Sequence, residues 1–294
     1  MSAVQNKFGL FLEAGYVIGS QEDGTAVANS DIDVVLVFKG TLDSNQRRGV
    51  AELARGLDHD FGVRVDFELL DHTTRTIDPA LKLGGRLWFG SDVRDKYPLP
   101  PIEDWSRDRL HTSYWRAIHL FKRTPNVSLP LTFPSQNAPF CGYVVGNTTR
   151  GLVRHVSWAA TALIAHLARR YVVRKSAFVT LYRELINDDW TDYLEQVYFK
   201  CKLEWNYRVP QSPYSLQLLC HQTLDFENHF MKVYRDFVLQ ELKSGRVSDQ
   251  LHTLWVLEKL PLQDDELKAM LEALTHDTSV EIRERAVLVW SKLY

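Results

Sequence analysis

Asp31 and Asp33 stand at i and i+2 at the head of the apolar run Ile32 to Phe38. In an extended strand that spacing puts both carboxylates on one face. Like charges a few ångströms apart repel each other unless a cation lies between them. Hard oxygen ligands of this kind suit Mg²⁺, which also carries phosphate oxygens. The pair alone proves little, because 22 Asp among 294 residues give about 1.6 D-x-D pairs by chance, and the chain has two. The other, Asp58-His59-Asp60, falls at the end of a predicted helix with no glycine turn before it and reads as a solvated loop.

Two further features favour the first pair. Val63 to Leu69 alternates apolar and polar residues, so Asp66 and Glu68 share the face opposite Val65 and Phe67. A strand beside Ile32–Phe38 would bring either of them to the first pair. Three acids could then hold two Mg²⁺ ions, one activating an attacking hydroxyl and one holding a triphosphate and its leaving group. Upstream, Gly19-Ser20 sits where a strand turns into a loop. There a glycine lets the backbone approach phosphate, and the amides and the Ser20 hydroxyl can donate to its oxygens. Gly24 would keep the intervening loop close, and Ser30 leads directly into Asp31.

The elements that must position these groups follow from the pattern. Val4, Phe8 and Leu12 predict a helix within residues 1–13 with Gly15 as its stop, followed by a brief strand at Tyr16 to Ile18. Ile32 to Phe38 is apolar on both faces, as a covered central strand is. Gln46 to Leu57 has helical composition, and Arg86 to Phe89 offers a fourth strand after Gly84-Gly85. These elements predict a small α/β sheet domain over residues 1–100, closed by Pro98-Leu99-Pro100-Pro101. Downstream, Arg107 to Arg123, Thr149 to Tyr171, Phe178 to Ile186, Trp190 to Trp205 and Leu216 to Leu242 fit helices, with no alternating strand among them. This predicts an all-α domain over 101–247. Residues 248–294 read as three short amphipathic helices, of which the last two resemble one HEAT-type repeat or a packed helical hairpin.

Composition excludes other classes. A 294-residue chain that is 45% hydrophobic and 24% charged is too long for one small module and too apolar for bulk disorder. Thirty-five basic against 37 acidic residues leave a net charge of −2, so no global positive field is available for nucleic acid, and only a local basic patch could meet one. Cys141, Cys201 and Cys220 are odd in number, far apart and without a C-x-x-C. They argue against a disulfide framework or a cysteine zinc site, and read as reduced thiols of a cytoplasmic protein. No signal peptide or membrane span is expected. The P-loop, dinucleotide, zinc-protease and serine-hydrolase signatures are absent.

Gly19-Ser20, Gly24, Ser30-Asp31-Ile32-Asp33 and a later Asp66 or Glu68 resemble the nucleotidyltransferase domains of the polymerase-beta-like superfamily. The likeness covers roughly residues 14–95, and Leu81 to Phe89 looks like the end of the small bacterial members. It implies a Mg²⁺-dependent enzyme, with two ions expected. Such an enzyme moves a nucleoside monophosphate from an NTP, with ATP the expected donor, to an acceptor hydroxyl and releases pyrophosphate. Asp31, Asp33 and Asp66 would be metal ligands and catalytic groups, with Glu68 the alternative third acid. Gly19, Ser20, Gly24 and Ser30 would meet the nucleotide. Many small members carry a basic residue just after Gly-Ser, whereas this chain has Gln21-Glu22-Asp23, so the metals or the helical domain must meet the phosphate charge. More weakly, the helical domain resembles that of aminoglycoside nucleotidyltransferases, which implies Arg154 and Lys175 as triphosphate contacts. An aminoglycoside- or lincosamide-like small molecule is then the favoured acceptor, with Asp188, Asp189 and Asp192 available to a cationic one. Protein or tRNA acceptors, and a non-catalytic nucleotide- or partner-binding module, are the alternatives.

Overall fold

The computed structural model describes residues 2–28, 30–123 and 127–294 and is a mixed α/β structure with one four-stranded sheet and many helices. The chain divides into two compact units, Met1–Trp105 with Leu167–Asn187, and Ser106–His166 with Asp188–Tyr294.

The first unit opens with α1 (Ser2–Phe8), β1 (Leu12–Ile18), β2 (Ile32–Phe38), α2 (Ser44–Phe61) and β3 (Val65–Leu70). Then come α3 (Pro79–Gly84) and β4 (Arg86–Gly90). The strand order is β3-β2-β1-β4, with β2 parallel to β3 and β1 antiparallel to both its neighbours. β2 is thus an inner strand, as its two-sided apolar run requires. One face of the sheet packs Val34, Leu36, Phe38 and Val65 against Val4 and Phe8 of α1 and Val50 of α2. The other face gathers Ala14, Tyr16, Val35, Val37 and Leu70 with Leu81 of α3. Asp33 and Asp66 continue the alternation of this second face, one step before Val35 and two before Leu70.

Several expected boundaries move. The opening helix ends at Phe8, and Gly15, expected as its stop, lies mid-strand, paired to Leu36 on one side and Phe89 on the other. Two ladders outweigh the weak strand propensity of one glycine. The helix α3 was not expected. It is only six residues long, too short for periodicity to show, although Asp78 caps it through the Ala80 amide and Pro79 occupies the first turn. Asp58-His59-Asp60 lies inside α2 rather than in a loop, and Asp58 accepts from the Val65 amide at 2.6 Å, tying the helix end to the start of β3.

The second unit is mostly helical, with helices Ile102–Leu120 (from Ser106 onward), Arg150–Leu167 (up to His166), Thr191–Val197 and Pro213–Lys243. Helices Val247–Lys259, Asp265–Leu274 and Val280–Leu293 close the chain; the last packs on each of the other two, and Leu254, Leu257, Leu267, Leu271, Ile282 and Val289 are buried. Against expectation the unit contains strands, since Val127–Ser128 and Leu262–Gln263 form a two-residue parallel pair. A pairing so short leaves no alternation to read. Among the described residues no helix is long and apolar enough to cross a membrane, and the three cysteines are free thiols.

One buried carboxylate ties β3 to α2. Asp71 is 2% exposed and accepts from the Leu42 and Thr73 amides, the Thr73 hydroxyl and Arg47 Nη2. The Thr73 hydroxyl first, then these amides and Arg47, hold its pKa below the ordinary carboxylate value against the opposing effect of burial. Asp71→Ala should cost about 2–4 kcal/mol, because buried donors lose their partner. Because the folded pKa is the depressed one, this stabilisation is complete above the unfolded value of about 3.9 and fades as pH falls through the folded value. Denaturant titrations at neutral and acid pH check both effects, since the gap between wild type and Asp71→Ala should narrow in acid.

Candidate functional site

The parallel register sets Asp33 directly beside Asp66, while Ile18, the last residue of β1, is paired to Asp33 on the other side. One carboxylate oxygen from each of Asp31, Asp33 and Asp66 lies within 4.8 Å of the others, and all three residues are half-buried. Oxygens on opposite sides of one Mg²⁺ are about 4.2 Å apart, and oxygens shared between two ions spread further. The donor set therefore fits a hard divalent cation in both chemistry and spacing. Glu68 is opposite Val35, one step further along the same face, and is exposed. It is not a member of the cluster formed among the described residues.

Sequence reasoning missed Arg64. Its Nε donates to Asp66 Oδ1 at 2.9 Å. That bond, and after it the charges of Asp66, Asp31 and Asp58, raise the guanidinium pKa. The residue offsets part of the repulsion within the acidic group and fixes one oxygen of Asp66. The signal was present in Arg64-Val65-Asp66, since an i, i+2 pair in an extended segment shares a side.

The turn after β1 is built against the carboxylates. Gly19 has φ +72°, and a Cβ there would lie 2.6 Å from Asp33 Oδ2. Gly19–Gln21 forms one 3₁₀ turn, with the Glu22 and Asp23 amides donating to the Gly19 carbonyl at 3.1 and 3.2 Å. Ser20 is thereby held one residue from the contact with Asp33. Gly24, at φ +73°, has open space where a Cβ would stand. Ser30 is buried, and its Oγ accepts from the Val27 amide at 2.9 Å while its own amide donates back to the Val27 carbonyl. Its hydroxyl thus shapes the loop that delivers Asp31. Gly19→Ala should place a methyl group on Asp33 in a backbone region costing about 1–2 kcal/mol for an L-residue. Metal affinity, read by Mn²⁺ titration, should fall together with the thermal midpoint, whereas Gly24→Ala should lower the midpoint alone.

Of the two basic residues expected from the helical region, Lys175 belongs to the first unit. It is exposed, on a 3₁₀ turn Lys175–Ala177 that packs against the Gly19–Gln21 turn. Arg154 lies in the second unit, half-buried on helix Arg150–Leu167. Asp188 is also in that unit, capping the Trp190 amide at 3.0 Å, with its Oδ2 3.6 Å from His229 Nε2.

No protein-family model matches the chain, and no curated protein matches it. Solved structures do. A toxin-antitoxin crystal structure with AMP-PNP is 26% identical, with a TM-score of 0.25, and the match covers 32% of this chain and 73% of that one. A spectinomycin adenyltransferase, AAD(9) from Enterococcus faecialis with ATP and spectinomycin, is 12% identical with a TM-score of 0.46, covering 78% of this chain and 95% of that one.

Proposed function

We propose that this chain is a Mg²⁺-dependent nucleotidyltransferase that moves a nucleoside monophosphate from an NTP to an acceptor hydroxyl and releases pyrophosphate. The observation that carries this reading is the convergence of the Asp31, Asp33 and Asp66 carboxylates within 4.8 Å, against a glycine turn that a side chain would block. Mg²⁺, when bound, supplies Lewis-acid stabilisation of the charge that builds on the phosphate oxygens.

Asp31 and Asp33 would hold Mg²⁺ from the head of β2. Asp66 completes the set from β3 and receives the proton of the acceptor hydroxyl. The hydroxyl oxygen forms its new bond to the α-phosphorus as the bond to the β-phosphate oxygen breaks, and the electron pair leaves with pyrophosphate. Arg64 fixes the Asp66 carboxylate so that its remaining oxygen faces the reacting groups. The Gly19–Gln21 turn brings backbone amides and the Ser20 hydroxyl to the triphosphate.

ATP is the donor, and an aminoglycoside- or lincosamide-like molecule the acceptor, that we place first. The test is incubation with each α-labelled NTP, Mg²⁺ and separate panels of aminoglycosides, lincosamides, tRNA and cell protein. Label moving to one panel with Mg²⁺ and not with chelator is the expected result. Nucleotide binding with no transfer to any panel would favour the non-catalytic module.

A further inference from the structure

Glu22 and Asp23 look misplaced beside a turn meant for phosphate, because a carboxylate there repels a triphosphate. Their side chains are engaged with a distant part of the chain. Arg174 Nη2 donates to Glu22 Oε1 at 3.1 Å, and the Glu22 side chain is only 13% exposed. Ser176 Oγ donates to Asp23 Oδ2 at 2.6 Å, while Asp23 Oδ1 accepts from the Thr25 amide and hydroxyl at 3.0 and 2.6 Å. Both oxygens of Asp23 are thus used, one to shape its own loop and one to hold the segment across from it.

That segment is secured upstream as well. The Tyr171 hydroxyl donates to the Pro100 carbonyl at 2.5 Å, and its ring meets Trp105 edge-on at 5.3 Å. Val173 lies against Gly84, where a Cβ would come within 2.8 Å of Val173 Cγ1. Residues 171–176 therefore run as a strap fastened at successive points, and its two last fastenings are the acidic pair. Lys175 stands between Arg174 and Ser176 and, like Arg174, is exposed.

We propose that Glu22 and Asp23 are positioning residues. They latch Arg174 and Ser176, and thereby hold Lys175 beside the Gly19–Gln21 turn, where its ammonium meets the triphosphate. The inference rests on the nucleotidyl-transfer reading above. Its physical basis is that a lysine on a loose loop must lose backbone as well as side-chain freedom on binding, whereas one on a latched strap loses only the latter. The basic charge missing from positions 21–23 is thus supplied from sequence position 175, and the acids at 22 and 23 secure it there.

The test measures the dissociation constant of ATP with Mg²⁺ for the full chain and its variants. Ser176→Ala should weaken binding about tenfold, the scale of one hydrogen bond to a charged group, with kcat at saturating ATP unchanged. Ser176→Thr, which keeps the hydroxyl, should restore affinity. Glu22→Gln discriminates by sign, since charge repulsion alone predicts tighter binding and the latch predicts weaker. Ser176→Ala combined with Lys175→Ala should bind no more weakly than Lys175→Ala alone, because the latch acts through the lysine. Without nucleotide, Ser176→Ala should also speed amide exchange over residues 174–178. Tighter binding by Glu22→Gln, or additive losses in the double variant, would overturn the latch while leaving the nucleotide reading in place. No binding of ATP with Mg²⁺ by the unaltered chain would overturn the nucleotide reading, and the latch with it.

Discussion

Asp33→Asn should lower nucleotidyl transfer by at least about a thousandfold, with the thermal midpoint unchanged or raised. Asp33 is the centre of the acidic group, since Ile18 and Asp66 are its partners in the two ladders and Gly19 is moulded to its Oδ2. An amide of the same shape keeps that packing, while it removes a charge that the other two carboxylates repel. The neutral amide oxygen is a poor ligand for Mg²⁺, so the loss falls on metal binding and the chemical step. A residue that served only to pack the strand would show the opposite pattern, a lowered midpoint with transfer largely kept. Transfer rates and thermal melts of the same preparations separate the two.

On the proposed reading Asp66→Asn should lower kcat by orders of magnitude with a small change in NTP affinity, because Asp31 and Asp33 would still hold the nucleotide's metal. Glu68→Gln should be mild. The two acids share a strand face, but Asp66 is in register with Asp33, whereas Glu68 is beside Val35 and exposed. A short Asp side chain also fixes its carboxylate closer to the strand, which suits the strict geometry of Mg²⁺. The ranking of the two variants at saturating Mg²⁺ checks this. A severe Glu68→Gln beside a mild Asp66→Asn would move the third acid one step along β3.

The acidic group was legible in the sequence because its geometry is local. An i, i+2 pair on a strand faces one way whatever the rest of the fold does, and β2 announced itself through an unbroken apolar run. The choice between Asp66 and Glu68 was not legible, because both satisfy the alternation and only the β2–β3 register separates them. Arg64 was overlooked although the same period-2 rule applies to it. The hidden part was long-range. Nothing in residues 167–187 says that they group with a sheet formed by residues 12–90, and the partners of Glu22 and Asp23 are 152 and 153 positions away. Read without those partners, two acids after Gly-Ser pointed away from phosphate. Gly15 misled for a related reason, since a glycine read as a helix stop is held in β1 by ladders on both sides.

The class of reaction is tested most directly by following two labels in parallel, ATP labelled at the α-phosphate and ATP labelled at the γ-phosphate, each with Mg²⁺ and the acceptor that responds in the panel assay. The account predicts that the α label appears on the acceptor and the γ label leaves as pyrophosphate, both in wild type and neither in Asp33→Asn. A γ label on the acceptor, or its release as orthophosphate, would contradict nucleotidyl transfer, as would full activity in Asp33→Asn.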